Sequence, residues 1–505
     1  MNPRRHRPAR EASPADRSLV GGDSNLPGAA EMQLEKTASS THVEGARADV
    51  SRWLPVALAS ALFMDLLDTS ALGTALPTLA REFGTDPLNL KFALTAYMLT
   101  MAVLVPTSGW LADRWGPRRV FMNAVRVYLL GSIICGLSQS VTMIVVGRVI
   151  QGMGGAMMTP VARLIVVATT PRERLIQALN GFTIPAIIGP LMGPPLAGLL
   201  LSVASWRWIF FINLPVGLIG MWAVMRLVPR LRHPHPGPFD VSGFAIAAVA
   251  ITSFVSLAEL VTSQSVSWKV SIAVAIIAAV SAALFVRHAR RTQRPMLELR
   301  LFAKPTYLAC MVGTTALRLG FGATPLLMPM LMQIAFGWSA LRSGSMLVAM
   351  MAGSIVARFA ATRFVRQFGF RPTLIATGIG ASALSVTPVF FRADTATVWI
   401  VIALAVLGFA RAAHFVAASP MTFAEVAPEE VSRASTLSTV IQQLGLSMGI
   451  SIAGLALAWA RPADGVLTTS SFAPAFLALA AGALLTIPAY ARLHPQVGEH
   501  MRGTA

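Results

Sequence analysis

Residues 53–80 read WLPVALASALFMDLLDTSALGTALPTLA, an unbroken apolar run whose only charges are Asp65 and Asp68. At the helical rise of ~1.5 Å per residue, about 20 such residues cross the ~30 Å hydrocarbon core of a bilayer, so the run reads as a spanning helix. Both carboxylates then lie at bilayer depth, where a charge is costly unless it faces a cavity or a partner. Function is therefore to be sought in the few charges this chain keeps inside its apolar runs.

The pattern recurs along the chain. Apolar runs at 53–80, 92–113, 119–138, 142–168, 177–203, 206–228, 239–262, 268–287, 306–333, 339–362, 371–391, 397–418, 434–460 and 472–491 predict about 14 transmembrane helices. Composition agrees: of 505 residues 55% are hydrophobic and 12% charged, with mean hydropathy +0.64, which a soluble domain could hardly reconcile with a polar surface. The expected class is an all-α integral membrane protein. A net charge of +19 would suggest nucleic acid in a soluble protein, but here the excess arginine sits between the runs. Arg114, Arg118 and Arg119, then Arg172 and Arg174, then Arg230 and Arg232, then the cluster from Arg287 to Lys304, then Arg363, Arg366 and Arg371 all fall on alternate loops. The opposite loops hold little beyond Arg81, Lys91, Lys269, Arg392 and Arg461. This bias places both termini in the cytoplasm and excludes a nucleic-acid partner. Cys135 and Cys310 each lie within a span, which leaves neither a disulfide framework nor metal-ligand spacing.

Residues 1–52 are polar and lack apolar periodicity, the composition of a disordered cytoplasmic tail, and a start at Met32 would remove much of it. The first span is too long for a signal-peptide core and is expected to be retained. Two basic linkers then divide the runs. They predict an N-terminal six-helix bundle over 53–228, a linker with two inserted transmembrane helices over 229–305, a C-terminal six-helix bundle over 306–492 and a short tail over 493–505. An internal echo supports duplication: Asp113-Arg114-Trp115-Gly116-Pro117-Arg118-Arg119 is answered by Arg366-Gln367-Phe368-Gly369-Phe370-Arg371-Pro372. Paired halves of this kind bind substrate near the midplane and alternate access by rocking.

Specific strings sharpen this reading. Phe63-Met64-Asp65-Leu66-Leu67-Asp68-Thr69 with Ala75-Leu76-Pro77 resembles the first-span signature of the fourteen-helix drug:proton antiporter family of the major facilitator superfamily. Gly109-Trp110-Leu111-Ala112-Asp113-Arg114-Trp115-Gly116 is similar to the superfamily's loop motif, and Arg148-Val149-Ile150-Gln151-Gly152-Met153-Gly154 to its fourth-span arginine motif. Gly189-Pro190-Leu191-Met192-Gly193-Pro194-Pro195-Leu196-Ala197-Gly198 resembles the antiporter motif, and Trp206-Arg207-Trp208-Ile209-Phe210-Phe211-Ile212-Asn213-Leu214-Pro215-Val216-Gly217 resembles the start of the family's sixth span. The chain departs from the pattern at Gly73, where Asn is usual, at Pro117, at Ala197, and at Arg126 inside the third run.

The resemblance implies a proton-coupled efflux transporter of small amphipathic or toxic compounds, driven by the proton gradient without a cofactor. It implies proton coupling by Asp68, Asp65 and Arg148. It also implies conformational roles for Asp113, Arg114 and Gly116 in the loop and for Gly189, Pro190, Gly193, Pro194 and Gly198 in the fifth span. Small residues four apart there permit close helix approach. Arg318, Arg411 and His414 fall inside apolar runs of the second half and are candidates for the substrate cavity, with helix-packing anchors as the alternative. Arg126 and Arg163 are expected to snorkel, and Glu259 to be wetted at a span end. No catalytic constellation or metal cluster is spaced for use, so an enzyme is not expected. The expected setting is the inner membrane, with protons, a small-molecule substrate and lipid as partners, and a periplasmic adaptor as a further partner in a Gram-negative host. Rival readings are a dedicated exporter of one endogenous metabolite and a transporter-like receptor that moves nothing.

Overall fold

The described chain is a succession of helical rods. The computed structural model describes residues 54–171, 174–228, 237–262, 267–293, 295–427, 430–462 and 466–493. The expected tails at 1–52 and 493–505 (Leu493 apart), Arg172, and the linker arginines Arg230 and Arg232 lie outside the described residues. In chain order the rods are α1 (Leu54–Glu82), α2 (Pro87–Trp115), α3 (Pro117–Gly136), α4 (Val141–Thr169), α5 (Leu175–Val203), α6 (Trp208–Leu227), α7 (Val241–Thr262) and α8 (Trp268–Arg291). Then come α9 (Pro305–Gly322, continued by Thr324–Met330), α10 (Ala340–Phe368), α11 (Phe370–Phe390), α12 (Thr397–Thr422), α13 (Val431–Trp459) and α14 (Thr469–Ala491). Among the described residues, twelve helices are long and apolar enough to cross a membrane. The other two positions belong to α5, with four internal prolines, and to α9, broken at Ala323 before Pro325 and ending in a π-turn at Leu331–Ala335.

Local chemistry sets the ends. Asp86 caps α2, accepting from the Leu88 amide at 2.8 Å, with Pro87 in the first helical position. Ser140 and Ser339 cap α4 and α10 in the same way. Gly116 and Gly369 stand between α2 and α3 and between α10 and α11 with φ of 84° and 86°, a conformation that a side chain disfavours. Two residues after each glycine an arginine reaches across: Arg118 donates to the Met225 carbonyl at the end of α6, and Arg371 to the Ala491 carbonyl at the end of α14. The echo seen in the sequence is thus repeated in three dimensions.

The packing is repeated too. α3 lies on α4 as α11 lies on α12, α1 on α5 as α9 on α13, and α2 on α4 as α10 on α12. Contacts between α1–α6 and α9–α14 run chiefly through two pairs, α5 with α10 and α2 with α13. They gather toward the end where α1 finishes: Gly73 meets the Pro325 carbonyl, Gln333 Nε2 donates to the Thr74 carbonyl at 2.9 Å, and Arg461 pairs with Asp86. α7 packs on α8, α13 and α2, whereas α8 buries only Ala278, Ser281 and Ala289 among its described residues.

Candidate functional site

Asp68 and Arg148 meet as an ion pair with neither side chain exposed. Asp68 is near mid-length of α1, and Arg148 lies two turns inside α4. Removing a charge from water costs several kcal/mol even after relaxation, so such a pair persists only with good geometry and further hydrogen bonds. Those bonds are present. Asn213 Nδ2, where α6 resumes after an interruption at Ile212, donates to Asp68 Oδ1 at 2.9 Å. Arg148 donates to Gln151 Oε1 at 2.9 Å and to the Ala93 carbonyl of α2 at 3.2 Å, and Gln151 in turn donates to Ser132 of α3 at 2.8 Å. One carboxylate therefore ties α1 to α4 and α6, and its arginine extends the tie to α2 and α3.

Asp65, one turn from Asp68, has a different partner. Its Oδ1 accepts from the Tyr97 hydroxyl, and the Tyr97 ring lies 4.4 Å beneath the Arg148 guanidinium. Arg148 Nη2 and the Tyr128 hydroxyl are buried without a hydrogen-bond partner among the described residues, so donor capacity remains beside Asp68. The three residues that the sequence named for coupling thus form one connected cluster. Tyr97, Ser132 and Tyr128 were not anticipated, because nothing in a lone apolar run marks a tyrosine or serine as inward-facing. Gln151 and Asn213 stood inside quoted motifs, which was the available signal.

The motif of α5 splits into two faces. A side chain at Gly189 or Gly193 would strike the backbone of α1, at the Phe63 and Leu67 carbonyls respectively. Gly198 instead meets Leu341 of α10, and the Pro194 carbonyl meets Gly344. Gly189 and Gly193 bind α5 into its own half, while Pro194 and Gly198 carry the contact between halves. Asp113 and Arg114 are exposed, and Arg114 stacks on Trp110 at 5.2 Å. Asp113 forms no ion pair among the described residues. Arg126 and Arg163 are exposed.

In the second half, Arg318 of α9 stacks on Phe415 at 4.5 Å, Arg411 of α12 stacks on Phe321 at 3.8 Å, and the two rings meet edge to face at 5.4 Å. His414 is fully buried and its ring nitrogens engage Thr377 at 3.2 Å and Tyr490 at 3.1 Å, the position of a packing anchor. Two expectations change. Lys91 and Glu259, read as charges at span ends, are 2% and 6% exposed and pair at 2.9 Å, with Ser451 of α13 donating to Glu259 at 2.9 Å. They join α2, α7 and α13 across the halves. The available signal was two opposite charges near the same end of their spans, Glu259 inside its run and Lys91 one residue outside its own.

A duplicated bundle of spanning helices with an ion pair buried between them is the build of a membrane transporter. A profile described as Major Facilitator Superfamily matches residues 58–450 and 310–503. A relative from Escherichia fergusonii, provisionally named multidrug resistance protein MdtD, is 36% identical over 412 residues, covering 81% of this chain and 87% of its own. The Shigella flexneri protein of that name is 35% identical over the same span and shares. Among solved structures, a peptide transporter POT in complex with sulfate superposes with TM-score 0.67 at 15% identity, covering 90% of this chain and 99% of its own. The nucleoside transporter NupG follows with TM-score 0.59 at 14% identity, covering 87% and 99%. The chain belongs to the Major Facilitator Superfamily. It is a multi-pass membrane transporter of small molecules and not an enzyme.

Proposed function

We propose that this transporter is a proton-coupled antiporter that expels small amphipathic compounds by alternating access, with residues 53–228 and 306–492 as the rocking bundles and the pair over 229–305 inserted between them. The buried cluster of Asp68, Arg148, Asp65 and Tyr97 carries the reading, since a charge pair at this depth has no structural need that apolar packing would not meet better. The name of the MdtD relatives supports efflux of drugs. A proton arriving at Asp68 cancels its attraction for Arg148 and loosens the tie of α1 to α4 and α6. Arg148 cannot give up its own charge, so it expels the proton again when it returns to Asp68. Asp65, coupled through Tyr97 to the same guanidinium, shares the proton rather than titrating by itself.

Proton binding and release at this cluster thus shift the balance between access states, and the gradient supplies the work without a cofactor. The loop charges support an inner-membrane setting with both termini in the cytoplasm. In that orientation the contacts near Gly73, Gln333 and Arg461 close the outer end. Everted vesicles test the reading. A panel of cationic, neutral and anionic fluorescent amphiphiles is offered with a pH gradient and after its collapse by a protonophore. Gradient-dependent uptake of at least one compound is expected, with proton release on substrate addition to the de-energised protein. Uptake that survives collapse of the gradient would count against coupling.

A further inference from the structure

Near mid-depth in the second half, Arg318 and Arg411 each face an aromatic ring, with no carboxylate paired to either among the described residues. From Pro305 to Thr422 the only acidic residue is Asp394, in the loop between α11 and α12, and α13 and α14 contain no acidic residue at all. Arg318 is the fourteenth residue of α9, and Arg411 the fifteenth of α12, so both lie near mid-depth. Neither forms an ion pair among the described residues. Arg318 Nε is buried without a partner, and Arg411 Nη1 reaches only the weak acceptor Met350 Sδ at 3.2 Å. The elements involved are α9, α10 and α12, with Gly445 and Gly449 of α13 against Arg318. Both arginine side chains and both rings beneath them are partly exposed.

Stacking on an aromatic ring attracts a cation to the ring face but leaves the in-plane N–H fork unused. That fork matches a planar or tetrahedral oxyanion, and arginine is the residue that serves such recognition. We propose that Arg318 and Arg411 form an anion subsite, and that the exported compounds carry a carboxylate, sulfonate or phosphate beside an apolar or aromatic body that rests on Phe321 and Phe415. The assignment rests on the transport reading above and names the substrate class for it. Mid-depth placement removes a lipid headgroup as the source of the anion. The Asp68 cluster in the opposite half then handles the proton, and the two charges enter the cycle at separate places.

Two xanthene dyes of similar shape and opposite charge make the test, carboxyfluorescein and rhodamine 6G. Binding to the purified full-length protein is read by tryptophan quenching, and uptake is read in everted vesicles. The anion is expected to bind the wild type and to bind roughly tenfold weaker or worse in Arg318→Gln and Arg411→Gln, with partial rescue in Arg411→Lys. Because no acceptor is left stranded, neither Gln variant should lower Tm. Lowered Tm with unchanged carboxyfluorescein binding would make the arginines packing anchors and overturn the subsite. Gradient-driven rhodamine uptake, with no anion binding to the wild type, would overturn the subsite and leave the antiporter standing. Arginine-dependent anion binding without gradient-driven uptake of either dye would do the reverse.

Discussion

The two halves share a backbone plan and differ in the charges they bury. Asp68 precedes Pro77 in α1 by nine residues, and Arg318 precedes Pro325 in α9 by seven, so an acid in one half stands close to where a base stands in the other. In the first half the acid is matched by Arg148 and held by Asn213. In the second half Arg318 and Arg411 are matched by aromatic faces instead of a carboxylate. Duplication supplied the scaffold, which Gly116 and Gly369, Arg118 and Arg371 still mark. Divergence at a handful of inward positions then gave one half a closed charge pair and the other an open one.

The largest effect that would break this comparison is at Asp68. Asp68→Asn keeps the size of the side chain and its contact with Asn213 but removes the titratable proton. Gradient-driven uptake should fall roughly 100-fold or more, while substrate binding to the purified protein remains. Asp65→Asn should cost less, because its loss leaves the Arg148 pair intact. Full coupling in Asp68→Asn would move the coupling site to Asp65 and remove the contrast between halves.

Next in size is the pair that joins the halves. Lys91→Met leaves Glu259 buried with only Ser451, at a cost of about 3–5 kcal/mol, whereas Lys91→Met with Glu259→Met should recover most of it. Thermal unfolding in detergent reads both. Equal Tm in wild type and single variant would mean that the ion pair is wetted and does not fasten α7 to the bundle.

A smaller effect separates the two faces of α5. Gly193→Leu drives a side chain into Ser70 and the Leu67 carbonyl within one half, and Gly198→Leu drives one into α10 of the other. Each overpacks by about 1–3 kcal/mol. Only Gly198→Leu should trap one access state, measured as a changed pattern of cysteine labelling at the two membrane faces. Identical labelling in both variants would merge the two faces into one packing surface.

The all-helical membrane class, the matched turns at Gly116 and Gly369 and the buried charges Asp68 and Arg148 were legible, because apolar length and charge inside an apolar run are local signals. The partners were not, because they are non-local. Nothing near Tyr97 says that it reaches Asp65, and nothing near Lys91 says that Glu259, 168 residues later, lies opposite. Lys91 was read as a loop charge because a span boundary drawn at 92 put it one residue outside. The helix begins at Pro87 instead, since Asp86 and Pro87 form a cap and first turn that hydropathy does not register.

The smallest expected effect concerns the inserted pair, which has no counterpart in either half. Asp240 precedes α7 and accepts from the Gly243 amide at 2.9 Å, from His288 of α8 at 2.8 Å and from the Met296 amide at 3.3 Å. Partial burial pushes its carboxyl up, but these hydrogen bonds outweigh it and hold the group below the usual carboxylate range. A lowered value means that the contribution is present above the unfolded value and is lost as pH falls through the folded one. Asp240→Asn should therefore cost about 1 kcal/mol, the worth of an N-cap, across pH 5 to 8. The gap to wild type should narrow below about pH 4, where the wild-type carboxylate itself takes up a proton. Hydrogen exchange at the α7 and α8 amides would report it. A penalty that grew on acidification would mean that Asp240 is favoured in its protonated form, and the inserted pair would then be held at this end by something other than a carboxylate.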